Sequence, residues 1–233
     1  HNQKVFMKKK IISRLKYPFQ KRLTQLKIKK SRVSSKIPKI SSEIRLFFHV
    51  RNEELRLPYF IEYYSKLGVD RFFMLDNGSS DKTVEIAKSY SNIEIFKTSD
   101  SMKNYNFWID VMLDCYGRNH WCVLADVDEI FVFPGHEKLS LREFCKFLDQ
   151  NHYQSLPCLL LDMYSDKSFS KLKYSPGDDP LNVCSYFDKE YDTFADTISC
   201  RKTSRTYSTD HFYGGLRKRI FGLKVCLSKV QLL

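Results

Sequence analysis

The fold of this chain is decided by the stretch Arg71-Phe-Phe-Met-Leu-Asp-Asn-Gly-Ser-Ser-Asp-Lys-Thr83. Its first five residues form a short apolar run, which is typical of a buried strand. Asn-Gly then permits a tight turn with positive φ, and the Ser and Asp side chains can cap a helix that we expect over about 82–90. The stretch therefore predicts a strand, a loop and a helix in succession, which is the repeating unit of α/β proteins.

Similar units lie on both sides of this stretch. Apolar runs predict further strands at 44–50, 93–96 and 121–125. The first of these is followed by a helix that Asn52 can cap and Gly68 can end, and another helix is expected over 104–116. The alternation predicts an α/β fold with a mostly parallel, Rossmann-like sheet that helices cover on both faces.

Beyond Pro134 the pattern is less regular. We expect a helix over 141–148, a strand over 158–163 and long functional loops over 164–215. The closing segment 224–233 is rich in apolar residues and has no polar tail. We therefore expect the natural chain to continue beyond it.

Charge is distributed unevenly along the 233 residues, whose formal net charge is +12. Residues 1–42 contain 14 Lys or Arg and no Asp or Glu, which leaves 25 basic and 27 acidic residues in 43–233. We therefore divide the chain into a basic N-terminal arm and linker over 1–42 and a folded domain over 43–233. Because the folded domain is close to neutral, no nucleic-acid partner is expected.

The arm carries apolar residues at helical spacing among its cations: Ile12, Leu15, Phe19, Leu23 and Leu26. Two interpretations are open. A basic amphipathic segment can lie on an anionic membrane surface, or its apolar stripe can pack on the folded domain. No apolar run reaches the roughly 20 residues of a membrane-spanning helix, and the seven scattered cysteines fit reduced, mostly buried thiols. We expect a cytoplasmic protein, with peripheral contact at the inner face of the membrane.

Polar residues directly follow three of the predicted strands, at Arg51-Asn52-Glu53, Asp76–Asp81 and Asp126–Glu129. Ligands of such sheets bind beyond the carboxyl ends of the strands. Asp126 and Asp128 stand at i and i+2, and in an extended segment both carboxylates face the same way. Mn²⁺ or Mg²⁺ prefers such oxygen ligands, with phosphates and water completing the shell. An acidic turn at a strand end is the alternative to this metal site.

These segments resemble the family 2-type GT-A glycosyltransferases, in particular the branch with a DxDE motif at its metal site. The resemblance is carried by His49-Val-Arg-Asn-Glu-Glu54, Leu75-Asp-Asn-Gly-Ser-Ser-Asp-Lys-Thr83 and Ala125-Asp-Val-Asp-Glu129. It implies a nucleotide-binding part over 43–135 and an acceptor-side part over 136–233. It also implies metal and diphosphate binding at Asp126 and Asp128. Nucleotide contacts are implied for the first two segments, and our substrate-binding candidates there are Arg51, Asn52, Glu53, Asp76, Asn77 and Asp81.

An inverting transferase needs a carboxylate that takes the proton of the acceptor hydroxyl. Asp210 is our first candidate and Glu129 our second. The segment 164–215, which contains Asp210, has further acids at Asp188, Glu190, Asp192 and Asp196. His211 can instead bind the metal or the pyrophosphate. Arg217 and Arg219, after a Gly pair, can close over the diphosphate, although a solvated basic turn fits these cations equally well.

The sequence thus predicts metal-dependent transfer of a single sugar from a nucleotide-sugar donor to a glycan or lipid-linked acceptor. A UDP-linked donor is our first choice, inversion follows from the resemblance alone, and the absence of Gln-x-x-Arg-Trp argues against processive polymerisation. The alternatives are a nucleotidyltransferase of similar fold and a non-enzymatic protein that binds through its basic arm. An aspartyl phosphatase fits less well, because Ile130 stands where a hydroxyl residue is expected.

Overall fold

A computed structural model describes residues 21–28, 37, 40, 42–189, 191–200, 205–221 and 228–232 of the chain. Side chains are described for all of these except positions 103, 106, 157, 169, 191–200, 205–214, 217, 218, 221 and 228–232.

Four parallel strands form the centre of the main sheet. They are β1 (Arg45–Val50), β2 (Arg71–Asp76), β3 (Ile93–Lys97) and β4 (Cys122–Leu124). β1 pairs with β2 on one side and with β4 on the other, and β3 pairs with the outer side of β2. The chain therefore runs outward from β1 to β3 and returns to the far side of β1 for β4. All four strands begin and end within one residue of the ranges predicted from the apolar runs.

Six further strands lie in the C-terminal part. They are β5 (Leu156–Leu159), β6 (Met163–Tyr164), β7 (Tyr186–Phe187), β8 (Tyr191–Cys200), β9 (Arg205–Gly214) and β10 (Ser228–Leu232). The main sheet has the order β3-β2-β1-β4-β10-β5, with β10 antiparallel to both of its neighbours. β6 with β7 and β8 with β9 form two separate antiparallel pairs. The predicted α/β fold with a mostly parallel, Rossmann-like sheet is confirmed.

Helices cover both faces of the sheet. They are α1 (21–28), α2 (Leu57–Leu67), α3 (Thr83–Lys88), α4 (Tyr105–Tyr116) and α5 (Leu141–Gln150), followed by the shorter α6 (Pro180–Val183) and α7 (Gly215–Phe221). Buried residues of α2, α3 and α5 form one apolar core with the sheet, and those of α1 and α4 form a second core. Alternate side chains of each parallel strand enter opposite cores: Phe48 joins the first and Phe47 the second. Burial on both faces explains why these strands are continuous apolar runs.

Only the start of α2 differs from the prediction. Gly68 ends the helix with a φ of 113°, as expected for a residue without a side chain. The start is not capped by Asn52, because the helix begins five residues later, after Arg56, with Pro58 in its first turn. Asn52 itself adopts a φ of 58° in the preceding loop. Proline is favoured in the first turn because its missing N–H needs no partner there.

Two predictions for the C-terminal part are wrong. The strand expected over 158–163 is divided between β5 and β6, because the first pairs with β10 and the second with β7. The loops expected over 164–215 include the ten-residue strands β8 and β9, which pair along their whole length. The segment 191–200 is rich in Thr, Tyr, Phe and Ile, and such β-branched and aromatic residues favour strands.

Part of the basic arm is described as α1. Its last residue, Ile28, is buried in the core beside α4, and Lys21 forms an ion pair with Asp114 of that helix. Leu23 and Leu26, two members of the predicted apolar stripe, are 44% and 51% exposed. The other members of that stripe lie outside the described residues. Within the described part of the chain, no helix has both the length and the apolar character needed to cross a membrane.

Candidate functional site

The candidate site lies at the carboxyl edge of the parallel strands, where the strand order reverses between β1 and β4. Asp76 is the last residue of β2, and it pairs in register with Val50, the last residue of β1. Asp126 lies two residues beyond the end of β4. Parallel strands end at the same edge, so the polar residues that follow them come together there. Ligands of open α/β sheets bind at this position.

The carboxylate of Asp126 is contacted from two sides. Nδ1 of His49, the penultimate residue of β1, lies 3.4 Å from Asp126 Oδ1. The Tyr105 hydroxyl donates a hydrogen bond of 3.0 Å to the same oxygen. The two rings pack against each other, with centroids 4.4 Å apart. Neither residue was selected from the sequence, although a histidine near the polar end of an otherwise apolar strand is a signal that identifies His49.

The pleat of β1 explains this contact. Phe47 faces the core beside α4, and two residues later His49 projects from the same face of the strand. Tyr105 is the first residue of α4, so its ring meets the His49 ring above that core. In the parallel register Phe47 pairs with Leu124, which aligns His49 with Asp126. The fold therefore brings these side chains together without any local sequence relationship between them.

Asp126 to Glu129 form a tight turn. The Glu129 backbone N–H donates to the Asp126 carbonyl oxygen at 2.9 Å, and the Asp126 N–H donates to Glu129 Oε2 at 3.0 Å. The expectation that Asp126 and Asp128 project from one extended segment is therefore wrong, because residues 127 and 128 lie within the turn. The Glu129 carboxylate accepts the hydrogen bond that closes this turn.

Two tyrosines of α2 hold the segment that follows the turn. The fully buried Tyr64 hydroxyl donates to the Glu129 carbonyl oxygen at 3.1 Å and accepts from the Phe131 N–H at 3.0 Å. Its neighbour Tyr63 donates to the Phe131 carbonyl oxygen at 2.7 Å. Burial raises the pKa of Tyr64 well above its ordinary value, which keeps its hydroxyl protonated. The acidic turn is thus fixed by residues far away in sequence.

Asp128 lies on the solvent side of the turn and faces Arg56. Its Oδ2 is 3.7 Å from Arg56 Nη1, and its side chain is 63% exposed. Arg56 also binds Glu53 with two hydrogen bonds of 2.8 and 3.0 Å. Burial raises the pKa of Glu53, and the charges of Asp128 and Asp81 add to this, while Arg56 opposes it. Arg56 was not predicted as a site residue. Its position three residues after Glu53, which the sequence had selected, is the pattern that could have identified it.

Asp76 and Asn77 are buried at the end of β2. Asp76 Oδ1 accepts a hydrogen bond of 3.0 Å from the Ser79 N–H. Asn77 Nδ2 donates to the Met102 sulfur at 3.0 Å and to the Asp100 carbonyl oxygen at 3.4 Å. These contacts join the loop after β2 to the loop that leads into α4. Both candidates therefore lie at the same edge of the sheet as Asp126.

The loops after β1 and β2 are bound to each other by their polar side chains. Asn52 Oδ1 accepts from the Ser80 N–H at 2.8 Å. Asp81 accepts from the Thr83 N–H at 3.0 Å and from the Glu54 N–H at 3.1 Å. Burial alone would raise the pKa of Asp81, but hydrogen bonds from the Thr83 hydroxyl and from these amides lower it. Asn52 and Asp81 therefore hold the loops after β1 and β2 together, whether or not they also bind a ligand.

The remaining candidates are described unevenly. Arg51 is exposed and directly follows β1. Arg219 lies in α7, and its Nε donates to Asp188 at 2.9 Å while its guanidinium lies 5.0 Å above the Tyr164 ring. The segment that carries Arg217 and Arg219, for which a solvated basic turn was the alternative, is a helix. Three further candidates belong to β9 and α7 by backbone, but their side chains lie outside the described part of the structure: Asp210, His211 and Arg217.

The acidic turn fits a hard divalent cation only as an open site. Asp126 and Asp128 offer carboxylate oxygens, and Mg²⁺ and Mn²⁺ commonly take one or two carboxylates together with substrate phosphates and water. Among the side chains that the structure describes, no cluster of three or more His, Cys, Asp or Glu can enclose a metal ion.

A cavity of about 730 Å³ lies at the opposite edge of the sheet. Its lining includes Trp121 and Ile44, which precede β4 and β1, and Arg142 of α5. None of the predicted site residues lines this cavity. Arg142 binds Asp70 at 2.7 Å, so its charge is already matched. Because ligands of such sheets bind at the carboxyl edge, we assign the candidate site to that edge.

Comparison with known proteins does not identify a family. No protein-family model matches the chain, and no curated protein matches it. Among solved structures the chain is similar to the crystal structure of 4-diphosphocytidyl-2C-methyl-D-erythritol synthase, with 7% identity and a TM-score of 0.35 over 57% of this chain and 68% of that one. A likeness at that TM-score gives no evidence about function.

Proposed function

We propose that this chain is a metal-dependent glycosyltransferase of the GT-A type. It transfers a single sugar, with inversion, from a nucleotide-sugar donor to a glycan or lipid-linked acceptor, and UDP is our choice of nucleotide. The observation that carries the proposal is the position of Asp126, at the reversal of strand order and beside His49 of β1. Ligands of open α/β sheets bind at this position.

Asp126 and Asp128 are the residues that hold Mn²⁺ or Mg²⁺ in this proposal. A bound cation neutralises the diphosphate as it leaves the sugar. Asp76 and Asn77 at the end of β2, together with Arg51 and neighbouring Asn52 and Glu53, contact the nucleoside. Support comes from their common location at the carboxyl edge, since Asp76 pairs in register with Val50.

The acceptor side is proposed from the sequence. Asp210 is our candidate base, with His211 beside it as a further cation or pyrophosphate contact. Arg217 is our candidate for the diphosphate, in preference to Arg219, because Arg219 already binds Asp188 at 2.9 Å. Glu129 is a weaker candidate for the base, since its carboxylate accepts the Asp126 N–H at 3.0 Å.

The basic arm is proposed to contact anionic lipid at the inner face of the membrane. Its exposed Leu23 and Leu26 and its excess of cations support this. Deletion of 1–42 should reduce binding to phosphatidylserine vesicles and leave nucleotide binding intact. Equal vesicle binding by the truncated chain would remove this part of the proposal.

The donor site is tested by isothermal titration calorimetry with UDP, GDP, CMP and dTDP, each with and without Mn²⁺. We expect Mn²⁺-dependent binding that Asp126→Asn and Asp128→Asn remove, with unfolding temperatures close to that of the wild type. Glu62→Gln is the matched control, because Glu62 is an exposed acid of α2 that pairs with Lys66. Unchanged binding in both aspartate variants contradicts the assignment.

The type of transfer is tested by product analysis. Slow hydrolysis of a labelled nucleotide-sugar that releases the nucleoside diphosphate supports a glycosyltransferase. Consumption of a nucleoside triphosphate with release of pyrophosphate supports the nucleotidyltransferase instead. Absence of any metal-dependent nucleotide binding leaves the non-enzymatic alternative.

A further inference from the structure

The start of α4 is tied to the same sheet edge as the acidic turn. Thr98 N–H donates to the Asp76 carbonyl oxygen at 2.9 Å, and Asn77 Nδ2 contacts the Met102 sulfur at 3.0 Å. A short 3-10 turn over Met102–Asn104 then leads into α4, whose first residue is Tyr105. The segment that leads into Tyr105 is therefore tied to the end of β2.

The Tyr105 hydroxyl is a donor directed at Asp126. It lies 3.0 Å from Asp126 Oδ1, and the His49 ring packs against the Tyr105 ring on the side of β1. The hydroxyl therefore donates a hydrogen bond to the carboxylate, and the packed His49 ring limits the directions in which it can turn.

We infer that Tyr105 is a positioning residue, whose hydroxyl, with the His49 ring beside it, holds the Asp126 carboxylate in the orientation in which it binds the cation. The inference rests on the proposed function, since it gives Asp126 its partner in the donor site. Groups that hydrogen-bond to metal-binding residues typically contribute about 10–100-fold to metal affinity. Without the hydroxyl, Asp126 must be ordered by the cation itself, and part of the binding free energy is lost.

The test is Tyr105→Phe, which removes the hydroxyl and keeps the ring against His49. Mn²⁺ affinity in the presence of UDP is measured by calorimetry and by the electron paramagnetic resonance signal of free Mn²⁺. We expect Mn²⁺ to bind roughly 10–100-fold more weakly to the variant.

Tyr63→Phe is the matched control. It also removes a tyrosine hydroxyl that holds the segment after the acidic turn, but that hydroxyl donates to the Phe131 carbonyl oxygen and does not contact Asp126. We expect its Mn²⁺ affinity to stay close to that of the wild type. A general loosening of the segment would weaken Mn²⁺ binding in both variants, so the comparison separates positioning from stability.

Two outcomes overturn the inference, and they are distinguishable. If Asp126→Asn removes Mn²⁺ binding while Tyr105→Phe behaves like Tyr63→Phe, Tyr105 has no positioning role and the proposed function stands. If the wild type binds no Mn²⁺, or Asp126→Asn binds it as the wild type does, the proposed function and the inference both fall.

Discussion

Tyr64 offers a direct test of how the acidic turn is held. The substitution Tyr64→Phe keeps the buried ring in place and removes only the hydroxyl oxygen. That oxygen donates to the Glu129 carbonyl at 3.1 Å and accepts from the Phe131 N–H at 3.0 Å. The ring itself is fully buried in the core between α2 and the sheet. Water therefore cannot take over both bonds without opening the core.

The expected loss of stability follows from these two orphaned groups. A buried donor or acceptor that loses its partner costs about 1–3 kcal/mol. The removed atom is small and leaves little cavity. The buried Phe131 N–H costs about 1–3 kcal/mol and the part-buried Glu129 carbonyl about 1 kcal/mol, which together give roughly 2–4 kcal/mol for Tyr64→Phe. Domains of this size are stable by about 5–15 kcal/mol, so the variant should still fold. The half-buried Tyr63 makes one bond to a carbonyl, and Tyr63→Phe should cost only about 0.5–1.5 kcal/mol.

The assay is equilibrium unfolding in urea, followed by circular dichroism and by intrinsic fluorescence. Coincident transitions justify a two-state free energy for each variant. We expect the order wild type, Tyr63→Phe, Tyr64→Phe in decreasing stability, with unchanged dependence on urea concentration. A Tyr64→Phe variant within about 0.5 kcal/mol of the wild type would refute the reasoning, because even one orphaned buried group should cost about 1 kcal/mol.

Three further predictions concern other parts of the fold. Asp81→Ala should lower the free energy of unfolding by about 1–2 kcal/mol in urea titrations, because the Glu54 and Thr83 N–H groups lose their carboxylate partner, with the exposed Asp166→Ala as the control. Glu43 is buried between Arg45 and Arg71 at 2.8 Å from each, so Glu43→Gln should cost about 3–5 kcal/mol at neutral pH. Burial alone would raise the pKa of Glu43, but the two arginines hold it below its ordinary value of 4.5. Its contribution is therefore complete above pH 4.5 and is lost as the pH falls through the folded value, so the wild type and Glu43→Gln should converge in acid. Burial raises the pKa of Cys122 to about 12, so iodoacetamide at pH 8 should leave it unmodified in native protein and label it in urea, as mass spectrometry can check.

The central strands could be predicted from the sequence because their signal is local. Each strand of the parallel sheet is buried on both faces, so it reads as an unbroken apolar run whatever its neighbours are. The end of α2 at Gly68 was also predictable from a local signal, because a φ of 113° suits a residue without a side chain. The parallel direction of these strands followed from their alternation with helices, since parallel neighbours need a crossover connection.

The C-terminal part could not be predicted in this way, because its strands are defined by their partners. β5 and β6 lie close in sequence, yet one joins β10 in the main sheet and the other joins β7 in a separate pair. Residues 158–163 give a single apolar signal that contains no information about this change of partner. The closing apolar segment likewise gave no indication that β10 lies between β4 and β5.

The candidate site shows the same division at the level of side chains. The sequence identified the carboxylates that follow the strands, but their surroundings depend on residues from other elements. Asp126 is contacted by Tyr105 of α4, and the turn that carries it is held by Tyr64 of α2. The i, i+2 rule failed because Glu129 closes a turn where an extended segment was assumed. A motif therefore indicates which groups are present at an edge, and the packing of the flanking helices decides where they point.

This division decides which experiments can establish function at this edge. Polar residues after β1 and β2 include Asp81, whose hydrogen bonds join two loops, so its replacement changes stability whether or not a nucleotide binds there. Asp128 is different, because its side chain is 63% exposed and lies 3.7 Å from Arg56 across the turn. Surface pairs of this kind contribute about 0–1 kcal/mol to stability. A loss of nucleotide binding in Asp128→Asn at unchanged stability therefore reports on the ligand itself, whereas the same loss in an Asp81 variant does not.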